Sequence, residues 1–199
     1  GDIINGQVGD DVVNGGSSGD TINGGSGADT LNGQSGDDDI QGDTDDDVID
    51  GGSGSDTLDG GLGNDSLSGG TEGDSLLGDQ GADTLNGDGG NDSLFGGDDD
   101  DLIFGGTDDD SLNGENGNDI VNGNSGNDTA LGGSDDDTVL GGSGNDLLYG
   151  DGDLTQLELT GDDRILGHIG NDTIFGGSGA DFIDGGGGND AVSTNDLAL

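Results

Sequence analysis

The residues best able to do chemistry in this chain are aspartates, and they fall on a fixed beat. From Asp2 an aspartate occupies every ninth position, through Asp11, Asp20, Asp29, Asp38, Asp47, Asp56, Asp65, Asp74, Asp83, Asp92, Asp101, Asp110, Asp119, Asp128 and Asp137 to Asp146. A 17-residue step then reaches Asp163, and the beat resumes at Asp172, Asp181 and Asp190. Carboxylates serve as acids, bases, nucleophiles or hard oxygen ligands, and the rest of the composition chooses among these. There are 46 acidic residues against one arginine, one histidine, no lysine and no cysteine. A Ser-His-Asp arrangement would have to use His168 in a glycine-rich turn. A local ion pair or a surface contact is the expected role of His168 and Arg164, and no catalytic residue and no enzyme are expected. Carboxylates without cationic side chains to pair with call for cations from solution.

The formal net charge is −45, 51 of the 199 residues are glycine, and 25% are hydrophobic. Such a chain cannot bury enough apolar surface to offset the entropy of ordering, so composition alone predicts disorder. The apolar residues nevertheless keep step with the aspartates, and a disordered acidic tail has no need of phase. A cationic source of stability is therefore required. The acidic field argues against nucleic-acid partners and anionic membrane surfaces. No run of about 18 apolar residues is present, so no membrane insertion is expected. Without cysteine there are no disulfides or thiolate metal sites. No signal peptide is visible, and the chain opens one residue before an aspartate, as a segment of a longer protein would.

A fixed short period decides the architecture before local propensity does. With the aspartate as position six, the repeat reads G-G-x-G-x-D-x-U-x, where U is aliphatic. Two residues after each aspartate lies a core-type residue, such as Ile4, Val13, Ile22 and Leu31, reduced to alanine at Ala130. Four residues after it lies a glycine, from Gly6 through Gly150. Positions one to six are expected to form a turn, with glycine supplying positive φ. Positions seven to nine, often opening with threonine or serine, are expected to form a three-residue strand with U inward. Stacked on identical neighbours, such strands gain a backbone ladder and become a parallel solenoid.

This pattern resembles the RTX (repeats-in-toxin) glycine-rich nonapeptide repeat, and the resemblance covers positions 1 to about 193. It implies an all-β fold, a parallel β-roll or β-solenoid with two nonapeptides per turn and calcium between stacked loops. The loops then form two columns, with Asp2, Asp20, Asp38 and Asp56 along one edge and Asp11, Asp29, Asp47 and Asp65 along the other. All the phased aspartates named above are expected metal ligands. Calcium takes six to eight oxygens from carboxylates and carbonyls, which glycine-rich turns can aim inward. Magnesium demands stricter geometry, and zinc prefers nitrogen and sulfur. Each ion is expected between loops 18 residues apart, giving roughly 15 to 19 ions; about 18 would bring the net charge to about −9. Without them, facing carboxylates repel and binding and folding become one event.

Residues 1–150 read as the regular roll, 151–162 as an interruption, 163–193 as its continuation and 194–199 as a tail. The interruption is either an eight-residue loop or a degenerate repeat with Leu157-Glu158-Leu159 as its strand. The second is preferred because 17 is one short of a full 18-residue turn. The tail is similar to the end of some type I secretion substrates. Position four departs from glycine at Ser18, Asp45, Glu72, Asp99, Asp108 and Asp135, and Ser18 and Glu72 fit a left-handed backbone least well. Position two is polar at Gln7, Asp43, Asp79, Glu115 and Asp151, 36 residues apart, as duplication of a four-repeat unit would leave it.

Position nine points outward. Early in the chain it is asparagine, at Asn5, Asn14, Asn23 and Asn32, suited to a hydrogen-bond ladder. Later it turns apolar, at Leu77, Phe95, Leu131 and Tyr149 in one column and at Phe104 and Leu140 in the other, then at Leu166 and Phe175. An outward apolar stripe marks a contact surface, expected to dock a neighbouring roll, a partner domain or further copies in a fibre. The expected function is an extracellular, secreted or cell-surface calcium-folded assembly protein: a surface-layer, adhesin or fibril component. One alternative is a carboxy-terminal secretion and folding module of a toxin or enzyme exported by a type I system. Another is ice binding, suggested by Ser/Thr at position three and Asn at position five, with gaps at Leu62, Gln80 and Ile169.

Overall fold

The computed structural model describes residues 1–152 and 161–194. Two parallel sheets run the length of the molecule. The odd-numbered strands form one: β1 (Ile3–Val8), β3 (Thr21–Ser26), β5 (Asp39–Thr44), β7 (Thr57–Leu62), β9 (Ser75–Gln80), β11 (Ser93–Asp98), β13 (Ser111–Asn116), β15 (Thr129–Ser134), β17 (Leu147–Asp151), β19 (Thr173–Phe175) and β21 (Ala191–Ser193). The even-numbered strands form the other: β2 (Val12–Ser17), β4 (Thr30–Ser35), β6 (Val48–Ser53), β8 (Ser66–Thr71), β10 (Thr84–Gly89), β12 (Leu102–Thr107), β14 (Ile120–Ser125), β16 (Thr138–Ser143), β18 (Arg164–Ile169) and β20 (Phe182–Asp184). Each strand pairs with the one two ahead, so one turn holds two nonapeptides, and the register is 18 residues, as in Ile22 against Ile40. No helix occurs among the described residues, and none is long and apolar enough to cross a membrane.

Most strands are six residues long rather than three. The backbone ladder continues from position seven through position three of the next repeat. Positions one to three are thus strand rather than turn, with a kink where position two takes positive φ, as at Gly25 (110°). Non-glycine residues occupy that kink at Gln7, Gln34, Asp43, Asp79, Asp88, Glu115, Asn124 and His168. Position four is left-handed too: Ser18 (84°) and Glu72 (74°) adopt the conformation that their residue types least favour.

Inside, position eight supplies the whole core. The side chains from Val13 to Ile174 form one buried file between the sheets, with Ile4 and Ile183 packed against it. Position one, the other inward residue, has no room for a side chain, because the carboxylate of its own repeat and the carbonyl of the next turn close over it. A Cβ on Gly51 would lie 2.5 Å from the Asp56 carboxylate and 2.7 Å from the Gly69 carbonyl.

The interruption resolves differently from the preferred reading. β18 pairs with β16, and the Asp163 carboxylate lies against the Asp137 backbone, 26 residues away. A degenerate repeat spanning a half-turn would have put Asp163 in line with Asp146. Instead Asp172 takes that place. The 17-residue step is one nonapeptide plus eight residues, and the columns pass it unbroken because both ladders re-form in register. Leu157-Glu158-Leu159 lies outside the described residues, as does the tail from 195 on.

Candidate metal-binding ladder

Each phased aspartate stands at the point where the chain turns into a strand, and its two carboxylate oxygens have different surroundings. Oδ1 accepts the backbone N–H of the aspartate one turn before it: Asp38 from Asp20 at 2.6 Å, Asp56 from Asp38 at 2.8 Å, Asp92 from Asp74 at 2.8 Å. These bonds run unbroken along both edges from Asp2 to Asp190. The aspartate's own carbonyl accepts from position seven of the next turn, as Thr57 N–H to Asp38 at 2.8 Å. The backbone thus fixes each carboxylate in one orientation.

Oδ2 has no such partner. From Asp11 through Asp146, and again at Asp163 and Asp172, it is buried with no hydrogen-bond donor. It points at the position-one glycine of its own repeat, where the carbonyl of the next turn's position-one glycine also arrives. Around Gly15, a Cβ would meet Asp20 Oδ2 at 2.8 Å and the Gly33 carbonyl at 2.9 Å. A buried carboxylate oxygen without a partner is costly. Here the cost recurs at every inner loop, beside carbonyl oxygens and away from any side-chain cation. Hard oxygens converging without donors fit calcium. Among the described residues no three carboxylates or imidazoles meet at one point, so carbonyls must complete any shell.

The electrostatics carry the same signature. Burial, reinforced by carboxylates of adjacent turns, pushes Asp101 and Asp137 up to about 8 and Asp74, Asp83, Asp110, Asp128 and Asp163 up to about 7. The N–H bond to Oδ1 pulls the other way and does not prevail. Asp2 is exposed, and Asp11, Asp181 and Asp190 are half-buried because they belong to the terminal turns.

A second ladder was missed in the sequence. At position five an Asn or Asp side chain accepts the N–H of position five one turn later: Asn64 from Ala82 (2.9 Å), Asp100 from Asn118 (2.8 Å), Asn127 from Asn145 (3.0 Å). Asp100 and Asp109, fully exposed, are held below the usual carboxylate range by these bonds. It runs opposite in direction to the position-six ladder. Its signal was the frequency of Asn and Asp before the phased aspartate. The asparagines of position nine bond more irregularly, Asn5 to Asn23 at 3.3 Å but Asn23 to Asp43 and Asn32 to Asp50.

The apolar stripe of position nine is half-buried rather than fully exposed, because its members pack on one another along the sheet. Leu77 pairs with Phe95, Leu131 with Tyr149, and Tyr149 stacks on Phe175 at 5.0 Å. The most exposed large apolar residues lie elsewhere, among them Ile3, Val8, Val12, Ile169 and Phe182. Arg164 lies 4.9 Å above the Phe182 ring.

Comparison with known proteins follows the same lines. The profile described as RTX calcium-binding nonapeptide repeat (4 copies) matches residues 1–31, 32–67, 68–103, 95–130, 131–153 and 159–192. No curated protein sequence matches the chain. Among solved structures, a hyperactive, Ca2+-dependent, beta-helical antifreeze protein from an Antarctic bacterium is similar, with a TM-score of 0.72 and 26% identity. The match covers 92% of this chain and 66% of that one.

Proposed function

The chain belongs to the RTX calcium-binding nonapeptide repeat family, and from that premise we propose that it is a calcium-folded structural module acting outside the cell. The observation that carries this reading is the file of buried, donor-free Oδ2 atoms. Multiple calcium ions belong to the repeat, and all 21 phased aspartates are proposed to ligand them, each inner ion lying between loops one turn apart. Oδ2 and the position-one carbonyls are the proposed donors; a bound ion supplies charge neutralisation there and no reaction. The low calcium inside cells would leave the carboxylates to repel one another, and the higher calcium outside would close the array. Secretion and a role as a surface-layer, adhesin or fibril element follow from that switch, with self-association through apolar residues on the outer sheet faces. The alternative secretion-module role predicts the same folding with a monomer throughout.

A calcium titration followed by circular dichroism and light scattering, with magnesium as control, tests the proposal. A cooperative coil-to-β transition with growth in particle size supports it. Folding without association favours the secretion module, and the absence of any transition removes the calcium-folding reading.

Similarity to an antifreeze protein supports ice binding as a second reading. One loop edge carries Ser35, Ser53, Thr71, Thr107, Ser125 and Ser143 at position three, beside the position-five ladder. Gly89, Ile169 and Gly187 interrupt that array, and Asp37 and Asp109 place carboxylates in it. Thermal hysteresis measured with saturating calcium decides between the two.

A further inference from the structure

The two outer sheet faces distribute charge differently. β12, β14, β16 and β18 contain no acidic residue, in a chain with 46. Their outward positions hold Leu102, Phe104, Ile120, Leu140 and Leu166, together with the only arginine and the only histidine of the chain, Arg164 and His168. Ile120 is 44% exposed, and Arg164 and His168 are exposed. On the odd face, β5 to β13 form a shallow hollow lined by Asp43, Asp59, Asp79, Asp98 and Glu115. Burial and then mutual repulsion push Asp59 and Glu115 above their ordinary range, so this hollow lacks a counter-charge.

We propose that the even face of one copy docks on the odd face of a second copy, with Arg164 set against Glu115. This rests on the self-association included in the proposed function and names its surfaces. The geometry follows from a translation. Two rolls side by side with axes parallel bring an even sheet against an odd sheet, and their facing strands run in opposite directions. Position seven of one then lies opposite position two of the other, and Arg164 is at position seven while Glu115 is at position two. β18 is the ninth even strand and β13 the seventh odd strand. A stagger of two turns, about 10 Å at the inter-strand spacing, therefore brings Arg164 level with Glu115. The same stagger sets position nine against position nine, and so Leu140 against Phe95.

Four strands of six residues present about 20 by 20 Å. The pair buries roughly 800 Å², below the ~1,000 Å² of a specific stable interface. One such contact is weak. Because the two faces differ, the contact is heterologous and does not close, so it repeats from copy to copy. Calcium is required first, since a net charge of −45 opposes any approach.

The test is sedimentation velocity and light scattering of the folded protein at saturating calcium over a range of concentrations. Wild type is expected to associate with increasing concentration. Arg164→Glu and Glu115→Arg should each weaken association by about tenfold or more with the calcium-dependent circular dichroism unchanged, and the double variant should restore it. If Arg164→Glu does not fold, Glu115→Arg on the opposite sheet gives the same reading. Association of both single variants at the wild-type level overturns this interface while leaving self-association intact. A wild type that folds with calcium yet stays monomeric overturns both.

Discussion

Replacing Asp92 with asparagine isolates the charge on the buried oxygen. Asp92 is 3% exposed; its Oδ1 accepts from Asp74 at 2.8 Å and its N–H donates to Asp110 at 2.9 Å. Asparagine keeps that acceptor and the backbone bond, but puts an amide N–H where Oδ2 faced Gly87. Removing one partner of a buried charge pair costs about 3–5 kcal/mol. In an array that binds about 18 ions in a single cooperative step, that cost is shared among all of them. The calcium midpoint then moves by only about 1.5-fold. If instead the cooperative unit holds about four ions, the midpoint of that unit moves by about fivefold and the transition splits. The assay is a calcium titration read by far-UV circular dichroism, with Asp39→Asn, an exposed position-seven carboxylate, as control. In calcium-free buffer at pH 8 the sign reverses, because the variant removes a repelling charge and should stabilise residual structure. An unchanged midpoint and slope for Asp92→Asn, equal to the control, would refute calcium ligation through the phased aspartates.

Other perturbations separate core, cradle and charge. Leu94→Ala removes a fully buried rung of the file and should cost about 2–5 kcal/mol, seen as a lower melting temperature in calcium. Gly51→Ala places a methyl group between Asp56 Oδ2 and the Gly69 carbonyl, so isothermal titration should show fewer ions bound. Gly89→Ser, where a Cβ would approach Thr107 Oγ1 no closer than 3.3 Å, should bind the full number. Burial raises the folded pKa of Asp101 and Asp137 to about 8, far above the ordinary aspartate range. The metal-free fold is therefore favoured below about pH 4 and loses that support as pH rises through 6 to 8. Circular dichroism in chelator should show more β structure at pH 4 than at pH 8, and calcium addition near pH 7 should release protons.

The beat of aspartates made the solenoid, the two columns and the core file legible before any coordinates, because one unit repeats and each copy meets only its like. Strand length was less legible. Gly24-Gly25-Ser26 reads as turn by composition, yet the ladder from β1 holds it as strand through a positive φ at Gly25. The interruption misled because 17 lies close to 18, whereas register is set by which aspartate N–H meets which carboxylate. Tyr149 and Phe175 were legible as outward, but not as stacked on one another, since their 26-residue separation includes the insertion. The position-five ladder was hidden by its mixture of Asn, Asp, Ser, Ala and Gly, of which Ala and Gly have no side chain that can accept.

The continuity of both columns past residue 152 has a consequence for how the protein can change. Between Asp146 and Asp163 the chain carries eight residues more than one nonapeptide, yet the roll resumes with Asp163 against Asp137 and Asp172 against Asp146. A repeat array that keeps its register across eight added residues has a natural splice point there, where foreign sequence can be carried without renegotiating the strands on either side. Grafted peptides or small domains inserted there would be carried by a calcium-folded array, at a height set by how many turns lie beneath them.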